Sequence, residues 1–252
     1  APDHPILKAH PEFAVPVGKF PPQTDISHFR AEPFILSPAL CCVRHTSAGR
    51  GGGYLSEMQY GFARTDYHLC ADNPVERMFW GKIPLERATS YFFYHKGSDF
   101  RRILHQLKYG GRKDLGETMG RFMAAELTVS EFFCDVDVIV PVPLHPRKQR
   151  MRGYNQSECV AKGVAAVTGI PLDAASVVRK KHTETQQANL PKKVEEVNGI
   201  FHLRYPERFV GKHILLVDDV LTTGATITTC ADVFRDVEGV RISVLTLAVA
   251  NF

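Results

Sequence analysis

A mostly parallel α/β sheet covered by helices on both faces is the fold class this sequence predicts, on three observations. Strand-like and helix-like segments alternate from about residue 98 to the end, the pattern of βαβ units joined by right-handed connections. The strand-like runs are short and rich in Val, Ile and Leu, as strands buried on both faces are. Of 252 residues, 44% are hydrophobic and 23% charged, ordinary folded-chain values that exclude disordered, collagen-like and coiled-coil classes.

Residues 1–53 hold eight of the sixteen prolines, end in Gly51-Gly52-Gly53 and sustain no period of 2 or 3.6. They are read as a loose N-terminal region with no function assigned. Residues 54–97 show no readable chemistry and are set apart as a small hood before a main domain at 98–252. Regular signals begin with Phe100, Ile103, Leu104 and Leu107 at i, i+3, i+4, i+7, and continue with Leu115, Met119, Phe122 and Met123. Those spacings predict two amphipathic helices.

Val136 to Leu144 is a β-branched run closed by prolines, as a buried strand ending in a rigid turn would be. Asn155 to Thr168 reads as the following helix, with Cys159, Val160, Val164 and Val167 on one face, Asn155 as N-cap and Gly169 with Pro171 as the stop. Ser176 to Arg179 is expected as a second strand and His213 to Val217 as a third. A helix through Ile227, Cys230, Ala231 and Phe234 and a last strand over Val240 to Ala250 complete the order. Sheets of this kind bind ligands beyond the carboxyl ends of their strands.

Several function classes drop out on composition. The longest apolar runs, Val138 to Leu144 and Ser243 to Ala250, fall well short of the roughly 18 residues a membrane span needs, and the first 30 residues hold no signal-like apolar stretch. No membrane partner is expected, and the location expected is cytoplasmic. Six dispersed cysteines are no disulfide framework; Cys134, Cys159 and Cys230 are read as small core residues. The net charge of +4 is mild, but Arg147, Lys148, Arg150 and Arg152 cluster in one stretch and Arg179, Lys180 and Lys181 in another.

The segment richest in chemistry is Leu215-Leu-Val-Asp-Asp-Val-Leu-Thr-Thr-Gly-Ala-Thr226. It reads as an apolar strand, two acids, a hydroxyl-rich turn with one glycine, then a helix. Adjacent acids at a strand's carboxyl end are costly unless donors or a cation meet them, and the two ribose hydroxyls of a sugar phosphate are such donors. Asp218 and Asp219 would accept those bonds. The loop Val220, Leu221, Thr222, Thr223, Gly224, Ala225, Thr226 would offer backbone amides at a helix start to a phosphate, with threonine hydroxyls added. Gly224 lets the backbone come close. A helix cap alone would need one such residue rather than several, and no Gly-Lys-Ser/Thr follows to make a P-loop.

This segment resembles the ribose-phosphate signature of the type I phosphoribosyltransferases. The stretch His105 to Arg112, the run Val140 to Pro146 followed by Arg152-Gly-Tyr-Asn-Gln156, and Thr183 with Gln186 are similar to the ComF/GntX-type branch of that fold, over roughly residues 60–250. The resemblance implies a type I phosphoribosyltransferase fold and a ligand, 5-phosphoribosyl-1-pyrophosphate, bound with Mg2+. It also implies a link to competence and DNA uptake, and a small zinc module before the main domain.

Phosphoribosyl transfer expels pyrophosphate through an oxocarbenium-like transition state, so cations must converge on the leaving group. Arg179 and Lys180 resemble the basic pair that precedes a mobile catalytic loop in type I enzymes. Arg152 is set apart by the turn chemistry of Gly153 and Asn155. Arg152 and Lys108 are expected to bind the substrate, although for each cation a solvated face is the plainer role, and Lys108 at a helix end would be stabilising in its own right. Two departures modify the resemblance. The zinc positions correspond to Cys42, His45, Leu55 and Met58, which make no closed shell, so no bound zinc is expected and 54–97 is a degenerate remnant of the module or a hood. Lys193 and Glu196 replace arginine and asparagine, and lysine lacks the guanidinium fork.

The expected function is Mg2+-dependent phosphoribosyl transfer to a nitrogen acceptor. The alternative is a non-catalytic module, a sensor of the same ligand or an accessory of DNA uptake. Direct nucleic-acid binding is not expected, since only Tyr154 offers a ring near the basic clusters.

Overall fold

The computed structural model describes residues 62–95, 100–180 and 200–250. The readings made for residues 1–53, for Leu55 and Met58, and for Lys181, Thr183, Gln186, Lys193 and Glu196 lie outside them.

Four strands make the main sheet: β1 (Leu85–Tyr94), β2 (Val138–Pro141), β5 (His213–Leu221) and β6 (Arg241–Ala250), in the order β1-β6-β5-β2 with every pairing parallel. In between lie α1 (Pro74–Arg77) before β1, α2 (Phe100–Tyr109) and α3 (Lys113–Leu127) after it, α4 (Pro146–Arg152) and α5 (Gln156–Thr168) after β2, and α6 (Ala225–Ala231) after β5. The short strands β3 (Val177–Arg179) and β4 (Phe201–Leu203) pair antiparallel in a separate ribbon. The all-parallel helix-covered sheet is the expected class.

The sequence explains why the sheet is covered twice. Most of β5 before Asp218 and nearly all of β6 are buried, and alternate side chains go to opposite faces. Leu215, Val217, Leu245 and Leu247 join α2, α3 and α5 in one core, while Ile214, Leu216, Ile242 and Val244 join Ile227 and Cys230 of α6 and Val75 of α1 in the other. Each fully buried aliphatic or aromatic chain contributes about 1.5–3 kcal/mol. Helices α3 and α5 approach closely because glycines face each other. A Cβ on Gly120 would stand 2.1 Å from the Val160 carbonyl oxygen, and one on Gly163 would stand 2.2 Å from that of Glu117.

Three sequence readings change. Strand β1 lies upstream of residue 98, in the stretch set aside as a hood, and pairs with β6 over its length, so the sheet begins before the expected boundary. Buried Thr89 and Ser90 interrupt its apolar run, and Ser90 hydrogen-bonds Thr246 across to β6 at 2.6 Å. The strand expected at Ser176 to Arg179 exists but joins β4 rather than the main sheet. Cys134 is exposed at the end of a 3-10 turn, whereas Cys159 and Cys230 are buried as expected.

Candidate functional site

All four strands of the main sheet run the same way, so their carboxyl ends share one edge, and β5 brings its acids there. Apolar packing of Ile214 to Val217 on both faces fixes the strand, so Asp218 and Asp219 emerge at a defined point. Asp218 is partly buried. Its Oδ1 accepts from the Ser157 hydroxyl at 2.8 Å and from the Asp219 amide at 2.9 Å. Asp219 Oδ1 accepts from the Val220 amide at 2.7 Å, and its Oδ2 lies 3.1 Å from Lys108 Nζ at the end of α2.

Burial and then the neighbouring Asp219 charge push the Asp218 carboxyl up, to about 7, while Ser157, the Asp219 amide and Lys108 pull it back. A carboxylate held near its ionisation point and short of donors is well placed to accept from a ligand hydroxyl.

The turn after β5 forms as its chemistry requires. Gly224 takes the left-handed conformation, φ 76°, and starts α6; a Cβ there would be 3.0 Å from the Phe79 ring. Asp218 and the residues from Val220 to Ile227, Thr223 apart, line one shallow recess of about 20 Å³ open to solvent. Thr222, Ala225 and Thr226 are exposed, and the Thr223 hydroxyl accepts from the Ala225 amide at 3.4 Å. First-turn amides of a helix have no intrahelical acceptor, so the loop offers donors to an anion. Leu221 is a core residue and Val220 packs against the other core, so these two can serve a ligand through backbone only.

The expected cations divide. Lys108 reaches the acid pair, which its helix-end position alone did not reveal. Arg152, at the end of α4, donates to Gln156 Oε1 at 2.9 Å and lies 5.2 Å over the Tyr109 ring; its buried Nε and Gln156 Nε2 have no partner among the described residues. Arg179 lies 5.3 Å over the Phe201 ring, and Lys180 pairs through its amide with the Ile200 carbonyl. Among the described residues no hydrogen bond or ion pair joins Arg179 or Lys180 to the acids. Arg179 and Asp218 both stand close enough to Cys230 to act on its thiol, which burial pushes up.

Ser157 was not foreseen. Asn155 explains its placement: its side chain does not cap α5 but donates to the Val142 carbonyl at 3.0 Å, pinning the start of α5 to the end of β2 beside Asp218. A serine in the first turn of a helix is too common to have signalled this. Tyr154, the ring offered for base stacking, is 7% exposed with its hydroxyl on the Leu107 carbonyl, so it cannot stack; Tyr109 is the exposed ring beside Arg152.

No group of three or more His, Cys, Asp or Glu among the described residues could hold a metal ion unaided. Two adjacent carboxylates fit a Mg2+ that brings most of its oxygens with a diphosphate ligand, as Mg2+ commonly does. No helix among the described residues is long and apolar enough to cross a membrane.

Residues 155–251 match the phosphoribosyl transferase domain. The chain is 27% identical over 209 residues to DNA utilization protein YhgH of Escherichia coli O6:H1, covering 77% of this chain and 89% of that protein. It is 34% identical over 114 residues to competence protein F of Haemophilus influenzae, covering 44% of this chain and 50% of that one. Among solved structures, the glutamine phosphoribosylpyrophosphate (PRPP) amidotransferase of B. subtilis complexed with ADP and GMP superposes with a TM-score of 0.39 at 18% identity, over 56% of this chain but only 30% of that one.

Proposed function

We propose that this chain, which belongs to the ComF-type proteins of phosphoribosyltransferase fold, binds 5-phosphoribosyl-1-pyrophosphate at the end of β5 and transfers its phosphoribosyl group to a nitrogen acceptor. The observation that carries the reading is the meeting of Asp218 with the loop Val220 to Thr226, Thr223 apart, around one recess, with Asp219 next to it in the chain. In this reading the acids accept from the ribose 2- and 3-hydroxyls, and the loop amides with Thr222, Thr223 and Thr226 hold the 5-phosphate. A Mg2+ arriving with the ligand would offset charge on the departing pyrophosphate.

As the C1–O bond to pyrophosphate breaks, positive charge develops on the sugar ring, and in this reading the acid pair would stabilise it. The acceptor nitrogen forms the new bond to C1 and gives up a proton, and pyrophosphate carries off the electron pair. Arg152 and Arg179 are the cations proposed for the leaving group, because the buried Nε of each has no partner among the described residues.

The second reading, binding without turnover, is favoured by Arg179 and Lys180, neither of which makes a hydrogen bond or ion pair to the acids among the described residues. It would suit a sensor or an accessory protein in DNA utilisation or competence, the roles in the relatives' names. Release of pyrophosphate from phosphoribosyl pyrophosphate and Mg2+, assayed across amines and nucleobases, separates the two. Acceptor-dependent release supports the enzyme; saturable binding with no release by any acceptor supports the sensor.

A further inference from the structure

We propose that a cavity at the amino end of β1 is a second ligand site, one that takes a small aliphatic polycation of the polyamine class. It shares no residue with the recess after β5, which lies at the carboxyl ends of the strands, so it stands apart from the sugar-phosphate reading.

The cavity holds about 430 Å³ and lies among the first residues of β1 (Leu85 to Ala88), α1 with Trp80 just beyond it, and the 3-10 turns Tyr67–Leu69 and Glu131–Phe133. That volume falls within the roughly 300–1,000 Å³ usual for small-molecule sites. Asn73, 3% exposed, holds the wall in place. Its Nδ2 lies 3.2 Å from the Tyr67 and Cys70 carbonyl oxygens and 2.9 Å from that of Ala88, while its Oδ1 accepts from the Val75 and Glu76 amides. One buried amide thus ties the first turn, α1 and β1 together, and a wall fixed in advance spares the ligand the entropy of ordering it.

Charge decides the sign of the ligand. In a chain of net charge +4, this lining holds four carboxylates, Asp72, Glu76, Glu86 and Glu131, against one guanidinium, Arg87. Burial pushes the His68 imidazole below its usual range, so at pH 7 it adds no positive charge. Glu76 is held by the Asn73 amide at 3.2 Å and the Ala88 amide at 3.4 Å. The other three acids enter no ion pair among the described residues.

Spacing and apolar surface decide the rest. Among the described residues no three such groups could hold a metal ion, so the charges are strung along the cavity rather than gathered at a point. The same lining carries Tyr67, Phe132 and the 52% exposed Trp80, rings on which methylenes pack and to whose faces ammonium groups are drawn. The Trp80 ring already has the Arg77 guanidinium 5.9 Å from its centroid. Ammonium groups spaced along an aliphatic stem meet both demands.

Trp80 is the only tryptophan, so its fluorescence reads the site in the full chain. Titration with spermidine at fixed ionic strength should give a saturable change with a midpoint below about 1 mM. Glu86→Gln and Glu131→Gln should each raise that midpoint about two- to fivefold, and butylamine, with one charge, should bind about tenfold more weakly. Trp80→Leu, followed by calorimetry, should weaken spermidine about two- to fivefold. Asp236→Asn, an exposed acid outside the cavity, should leave the midpoint unchanged. No saturation by the folded chain, equal midpoints for spermidine and butylamine, or a Glu86→Gln, Glu131→Gln double variant that binds like wild type would overturn the proposal. None of these readouts involves phosphoribosyl pyrophosphate, so they judge the cavity whether or not that ligand binds.

Discussion

At its amino end β5 begins with His213, and at its carboxyl end the same strand delivers Asp218 and Asp219. His213 is 2% exposed, its Nε2 is 2.8 Å from the Ser243 hydroxyl on β6, and its amide donates to Asp137 at 2.9 Å. Ser243 comes from the neighbouring buried strand, while Asp137, just before β2, also pairs with Lys212. The acids are met by Ser157, by backbone amides and by a lysine, beside a recess open to solvent. One end of the strand buries a titratable group to close the fold, and the other holds two where a ligand can exchange with the donors. Burial alone therefore does not distinguish a structural group from a working one; the freedom of its partners does.

Four substitutions or titrations would break or sharpen that contrast. The largest effect is expected from Asp218→Asn, which removes a charge-assisted bond of about 1.5–3 kcal/mol to a ribose hydroxyl and should weaken phosphoribosyl pyrophosphate binding about tenfold to a hundredfold by calorimetry. The same change should raise the melting temperature at pH 8, since it relieves a desolvated like-charge neighbour pair. A variant that melts lower and binds normally would assign Asp218 to the fold.

His213→Ser should do the reverse. Loss of the buried bond to Ser243 should cost about 1–3 kcal/mol in urea unfolding and leave ligand affinity unchanged. Next in size is Gly224→Ala, which forces a Cβ into the left-handed region against Phe79 and should cost about 1 kcal/mol while weakening binding through the displaced loop.

The smallest effect is the pH slope of stability, and the two ends should bend it in opposite directions. The folded-state pKa of Asp218 is raised, so its contribution is full at low pH and is lost as pH rises towards about 7. That of His213 is lowered by burial and by Arg241, so its contribution is present above the usual histidine value of 6.5 and is lost as pH falls through the depressed one. Unfolding free energies measured from pH 5 to 8 should lose the first component in Asp218→Asn and the second in His213→Ser.

The site's centre was legible because its chemistry is local: an apolar strand, two acids and a Thr-Thr-Gly turn occur within twelve residues of Leu215 to Thr226. Helices α2, α3 and α5 were legible for the same reason, since period and stop residues travel with the segment. What did not show depends on packing between distant segments. Lys108 read as a helix-end cation because the sequence does not say what faces the end of α2, and Ser157 carried no signal until Asn155 tied α5 to β2. β1 was passed over because polar Arg87, Thr89 and Ser90 break its apolar run, and two of them are buried only through the neighbouring strand. The Val177–Arg179 strand was recognised but not its partner, because local propensity carries no record of which strand lies alongside.

The central claim, that the carboxyl end of β5 binds a sugar phosphate through its acids, is tested most directly by calorimetric titration with phosphoribosyl pyrophosphate and Mg2+. Wild type is compared with the double change Asp218→Asn, Asp219→Asn. Micromolar binding by wild type that disappears in the folded double variant is the predicted result. A folded wild-type chain that takes up none of the ligand, or a double variant that binds as tightly as wild type, would contradict it.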